Sequence, residues 1–133
     1  TRYLYTGGSV PMRDAAIYVR ENSWDDAYEL WRQAFEGTKN QKKKMRAALN
    51  IAVYYEMKDS LAKAEEWAEK AQQLAKKIDK KNITDSPQAT IDDVPNYYLT
   101  TLYLAELKER NAQLPKLKSY FFYTFELIKR RNP

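Results

Sequence analysis

The 133-residue chain contains no cysteine and no histidine. The first absence removes disulfides, thiolate nucleophiles and thiolate metal ligands. The second removes the commonest general base and the usual nitrogen ligand of zinc, copper and iron. Only three glycines are present, and the one cluster, Gly7-Gly8, lacks the Lys-Ser/Thr that follows in a phosphate-cradling loop. No apolar run approaches the ~20 residues of a membrane-spanning helix. The longest such stretches, YYLTTLYLAEL and SYFFYTFELI, have the length of buried helices. The chain begins at Thr1 without a methionine, so the lack of a visible signal peptide excludes nothing. Acid pairs do occur, at Asp25-Asp26, Glu65-Glu66 and Asp92-Asp93. They fall in first turns or on exposed faces, where helices favour negative charge for structural reasons. The expectation is a chain with no catalytic residues, no metal site and no cofactor.

What is there suits one folded domain with a core large enough to need no staples. The net charge is +5, with basic clusters at KNQKKKMR, KKIDKK and KRR. Cations near helix C-termini are ordinary, which accounts for the last two. The first opens a helix, so Lys42, Lys43 and Lys44, with Arg46, form a candidate basic patch for an acidic polymer. Eighteen acidic residues spread through the same helices argue against nucleic acid, whose phosphates would have to outcompete that field.

Apolar residues recur at helical spacing almost throughout. TRYLYTGGS alternates briefly and then breaks, so residues 1–9 read as an extended lead-in. A first helix, from about Val10 to Glu21, has Pro11 in its opening turn. Ser23, with Asp26 three residues on, predicts a capping box for a second helix ending near Glu36. A third runs from about Asn40 to Met57. A fourth, capped by Asp59 or Ser60, carries Leu61, Ala64, Ala68, Ala71, Ala75 and Ile78 on one stripe. Residues 79–93 are polar and contain Pro87, and read as a loop. Asp92 or Asp93 then caps a fifth helix ending near Arg110. A turn at Asn111–Gln113 leads to a sixth helix with Leu117, Phe121, Phe125 and Ile128 as its inner stripe. The expected fold is all-α, with about six helices.

Ala27, Trp31 and Ala34 superpose on Ala64, Ala68 and Ala71 at an offset of 37 residues, and Ala15 and Tyr18 superpose on Ala52 and Tyr55. Two helix hairpins of one design follow each other over 10–78. The constellation resembles the tetratricopeptide repeat, whose period is about 34 residues and whose helices cross at small residues flanked by aromatics. That resemblance implies a right-handed stack of antiparallel hairpins, with 94–131 as a terminal hairpin capping the array. The usual turn glycine is replaced by Asn22 and Asp59. The wording W-D-D-A to W-x-x-A-F is also similar to Bacteroides-type cell-envelope proteins of unknown function, which implies a bacterial envelope or periplasmic location.

The resemblance further implies a ligand surface on the concave face, built by the first helix of each pair. Carried over by position, the first copy gives Met12, Arg13, Val19 and Arg20. The second gives Arg46, Leu49, Asn50, Val53, Glu56 and Met57. A terminal-carboxylate clamp is not expected, because Met12, Ala16, Leu49 and Val53 stand where polar groups would be needed. The remaining apolar strip, edged by charge, would accept an amphipathic helix from a protein or peptide partner. Equally, the lead-in or the aromatic final helix would fill it from within. The function that follows is a non-catalytic protein–protein interaction scaffold. The alternatives are an assembly domain of a larger bacterial envelope protein and a binder of acidic polymers.

Overall fold

Helix starts follow local chemistry in the computed structural model, which describes residues 4–80 and 94–131, with side chains for 4–80 and 94–113. Among the described residues the chain is all-α, with five helices and no strand. In α1, Val10–Arg20, the Ser9 hydroxyl accepts from the Met12 amide at 3.4 Å, and Pro11 occupies the first turn, where no amide is needed. Asp25 and Asp26 stand in the first turn of α2, Trp24–Glu36, against the positive end of its dipole. Ser23 precedes that helix but makes no side-chain capping bond, so the expected capping box does not form. Asn40 caps α3, Gln41–Met57, through its side-chain oxygen on the Lys43 amide at 3.0 Å. That bond helps a lysine-rich first turn to remain helical. The fourth helix, α4, spans Leu61–Ile78 and closes with Lys76 and Lys77 in its last turn.

The start of α5, Pro95–Arg131, is fixed from a distance. Buried Asp79, just beyond α4, accepts from the Tyr97 amide at 2.8 Å and from the Asn96 side chain at 3.0 Å. The expected caps Asp92 and Asp93 lie outside the described residues, as does the rest of the loop over 81–93. A correction concerns the expected terminal hairpin: α5 continues through Asn111–Gln113 without a turn. Those three residues offer no glycine and no left-handed stop, while alanine and glutamine are good helix formers. The stripe Leu117, Phe121, Phe125 and Ile128 lies outside the described side chains.

Each helix packs on the next, most extensively α3 on α4. Ala15, Ala27, Ala52, Ala64, Ala68, Ala71 and Ala75 are all completely buried. A methyl group at these positions lets neighbouring axes approach within ~8–10 Å. Trp31 is buried and meets Trp24 edge-on at 6.1 Å, so the indoles fill the space beside the alanine seam. Helix α5 docks through Tyr103, Leu104 and Leu107, all buried. Its polar ties include Tyr103 donating to Glu56 at 3.0 Å, the Arg110–Glu56 ion pair, and Gln72 donating to Thr101 at 2.9 Å.

The two turns, α1–α2 and α3–α4, are copies at the 37-residue offset. Asn22 and Asp59 both adopt a left-handed conformation, with φ of 60° and 59°. Ser23 N donates to Tyr18 O at 2.8 Å, and Ser60 N donates to Tyr55 O at 2.9 Å. Tyr18 departs from the symmetry. It is exposed, whereas its counterpart Tyr55 is half-buried.

Candidate functional site

Asn50 is completely buried in the middle of α3, where most of its neighbours in sequence are apolar. Leaving such an amide without partners costs about 1–3 kcal/mol. Its partners come from 45 residues upstream: the Tyr5 amide donates to Asn50 Oδ1 at 2.9 Å, and Asn50 Nδ2 donates to the Tyr5 carbonyl at 2.8 Å. One residue can present both groups to a single side chain only when its backbone is extended, with N–H and C=O on the same side. The lead-in is therefore held as an extended segment, through its main chain. The Arg46 guanidinium lies over the Tyr5 ring, 5.3 Å from its centroid. Two neutral hydrogen bonds contribute roughly 1–3 kcal/mol net, and a partly exposed cation–π contact about 0.5–1 kcal/mol.

Beside this segment lies a cleft of about 280 Å³ walled by Leu4, Tyr5, Thr6, Ala16, Val19, Arg20 and Trp31. The indole nitrogen of Trp31 and Nε of Arg46 are buried and, among the described residues, have no hydrogen-bond partner. A smaller crevice follows the segment past Gly7, Gly8 and Ser9 to Met12, Lys43 and Arg46.

The residues named for the concave face separate into three groups. Met12, Leu49, Val53 and Asn50 are buried; Val19 and Arg46 are half-buried; Arg13, Arg20 and Met57 are exposed. Glu56 is buried too, but it faces α5, where it serves Tyr103 and Arg110. Asn50, Val19, Arg20 and Arg46 thus gather around the lead-in, whereas Glu56 belongs to the α3–α5 junction. Of the basic patch, Lys42 and Lys43 are exposed, while Lys44 lies over the Phe35 ring at 4.4 Å. Sequence reasoning missed Leu4, Tyr5 and Trp31 as parts of this site. The brief alternation in YLYT was the available signal for the first two.

A second polar cluster joins α2 to α3. Tyr28 stacks on Tyr54 with centroids 4.6 Å apart, and the Tyr28 and Tyr55 hydroxyls meet at 2.9 Å. Tyr54 donates to Asp25 at 2.6 Å, and Arg32 donates to the Tyr28 oxygen at 3.0 Å. The bond to the Asp25 carboxylate raises the Tyr54 hydroxyl to about 12. Burial, then the bond to Tyr28, raises Tyr55 to about 12. Asp25 is held below its ordinary value, first by Tyr54 and then by Lys58. The hydroxyls, protonated at neutral pH as in any tyrosine, act as hydrogen-bond links between helices. Among the described residues, no group of three or more acidic side chains is placed to hold a metal ion, and no helix is long and apolar enough to cross a membrane.

Residues 13–109 match the family described as Domain of unknown function (DUF6340). No curated protein and no solved structure matches the chain.

Proposed function

We propose that this chain, which belongs to the DUF6340 family of domains of unknown function, is a non-catalytic protein–protein interaction scaffold. Its groove between α1 and α3 holds a segment of a peptide or neighbouring domain in extended form. The observation that carries this reading is the pair of hydrogen bonds between buried Asn50 and the Tyr5 main chain. A core position given to an amide is poor for packing, and it makes sense where a passing backbone must be gripped. A tetratricopeptide-like, right-handed stack of hairpins is supported by the repeated turns at Asn22 and Asp59 and by the matched alanine seams. The sequence favoured a helical guest; the extended lead-in in the groove favours a strand-like one.

The test uses the full chain with its own segment weakened by Tyr5→Pro, which removes the amide proton that Asn50 accepts. A labelled peptide of sequence TRYLYTGGS should bind this protein saturably, and adding Asn50→Leu should abolish binding. A folded Tyr5→Pro chain that takes up no peptide would overturn the proposal.

An assembly role is favoured by a different observation. Val10, Ile17 and Tyr18 are exposed on α1. That reading expects self-association sensitive to Ile17→Lys, measured as solution mass.

A further inference from the structure

The segment in the groove is an incomplete fit. It reaches Asn50 only through main-chain groups, which any extended peptide carries. It leaves about 280 Å³ of mostly apolar space alongside, when roughly 150 Å³ suffices for a benzene ring. It also leaves a charge unused. Arg20 is exposed in the wall of that cleft, and among the described residues no carboxylate pairs with it. The sequence of the segment, YLYTGGS, contains no acid that could.

The attachment is a pair of glycines. Gly7 and Gly8 separate the docked residues from α1, and Gly8 holds φ of 100°, a conformation that favours glycine. No atom lies close to the space a side chain would take at either position. The helix beyond is capped independently by Ser9, so α1 keeps its start whether or not the segment is docked.

We propose that Leu4–Gly8 is a displaceable strap, occupying the groove until a peptide from another protein replaces it. This rests on the peptide-groove reading above and specifies both partner and regulation. The replacing peptide is extended, sets an aromatic side chain beneath Arg46, and carries a carboxylate beside it for Arg20. A tethered strap competes at high effective concentration, so a partner displaces it only through contacts that the strap lacks. Filling the cleft and pairing Arg20 are those contacts.

Fluorescence anisotropy with labelled TRYLYTGGS, and with the same peptide carrying Thr6→Glu, tests each part. The intact chain should bind the parent peptide weakly, and both Tyr5→Pro and the milder Leu4→Ala should tighten binding, the former by roughly tenfold or more. The Thr6→Glu peptide should bind the intact chain several-fold better than the parent, and Arg20→Ala should erase that preference. Equal affinity for the intact chain and both strap variants would sink the strap while leaving the groove standing. An acid preference that survives Arg20→Ala would remove the role of Arg20. No binding by any folded variant would remove the groove reading and the strap together.

Discussion

Asn22 and Asp59 stand 37 residues apart, each the left-handed residue of the turn between two successive helices. Left-handed backbone costs an ordinary residue about 1–2 kcal/mol, less for asparagine and aspartate. Asp59→Gly should therefore raise stability by about 0.5–1 kcal/mol. Asn22→Gly should gain less, because the Asn22 side chain also accepts from the Trp24 indole at 3.2 Å. Asp59→Val should lose at least about 1 kcal/mol. Urea midpoints of the three variants check the ordering.

Ala64 and Ala62 are neighbours on α4 with opposite surroundings, one completely buried and the other exposed. Overfilling a well-packed contact costs about 1–3 kcal/mol. Ala64→Leu should lower stability by that amount, whereas Ala62→Leu should stay within about 0.5 kcal/mol of the parent. Calorimetry of the pair measures how tightly the seam is closed.

The bond from Tyr103 to buried Glu56 links α5 to α3, 47 residues apart in sequence. Hydrogen bonds to charged groups contribute about 1.5–3 kcal/mol. Tyr103→Phe should destabilise by an amount in that range. Hydrogen exchange should quicken most in the first half of α5, since that half loses its anchor.

Asn50→Asp keeps size and polarity but presents an oxygen to the Tyr5 carbonyl in place of a donor. Repulsion replaces one of the two bonds. The Tyr5 amide should lose its exchange protection, while the protection of α3 and α4 changes little. If protection at Tyr5 survived, the lead-in would be held by something other than this amide.

The tyrosine cluster sets an alkaline limit on stability. Tyr54 holds its proton more tightly in the folded chain, up to about 12, than at its ordinary value of 10.0. Its contribution is complete below about pH 10 and is lost as pH rises through about 12. Asp25 behaves oppositely: its pKa is lowered from 3.8, so its contribution is present above that value and fades as pH falls through the depressed one. Denaturant titrations across alkaline pH should show Tyr54→Phe losing part of the decline seen in the parent.

The helices and the turns between them were legible because their signals are local. Alanines at helical spacing and turn residues at Asn22 and Asp59 act within a few residues and stand where the sequence placed them, whereas the caps expected at Ser23 and Ser60 make no side-chain bond and Asn40 caps a helix unannounced. What escaped was long-range. Asp79 caps a helix that starts 16 residues later, and nothing in its own neighbourhood announces this. The break expected at Asn111–Gln113 relied on weak stop residues, which helix continuation overrode. For the candidate site, the sequence offered an apolar strip on α1 and α3, with the lead-in as one of two candidate fillings. The exact residues were not readable, because the grip on Tyr5 uses main-chain atoms that every residue possesses.

That grip carries a periodicity of its own. Main-chain groups of an extended segment face the same side at every second residue. A slide of the lead-in by two would hand Asn50 an equivalent N–H and C=O, and by sequence it would bring Tyr3 to where Tyr5 now sits. The Asn50 grip therefore sets parity but does not count residues, and a segment with aromatics two apart has more than one way to be seated.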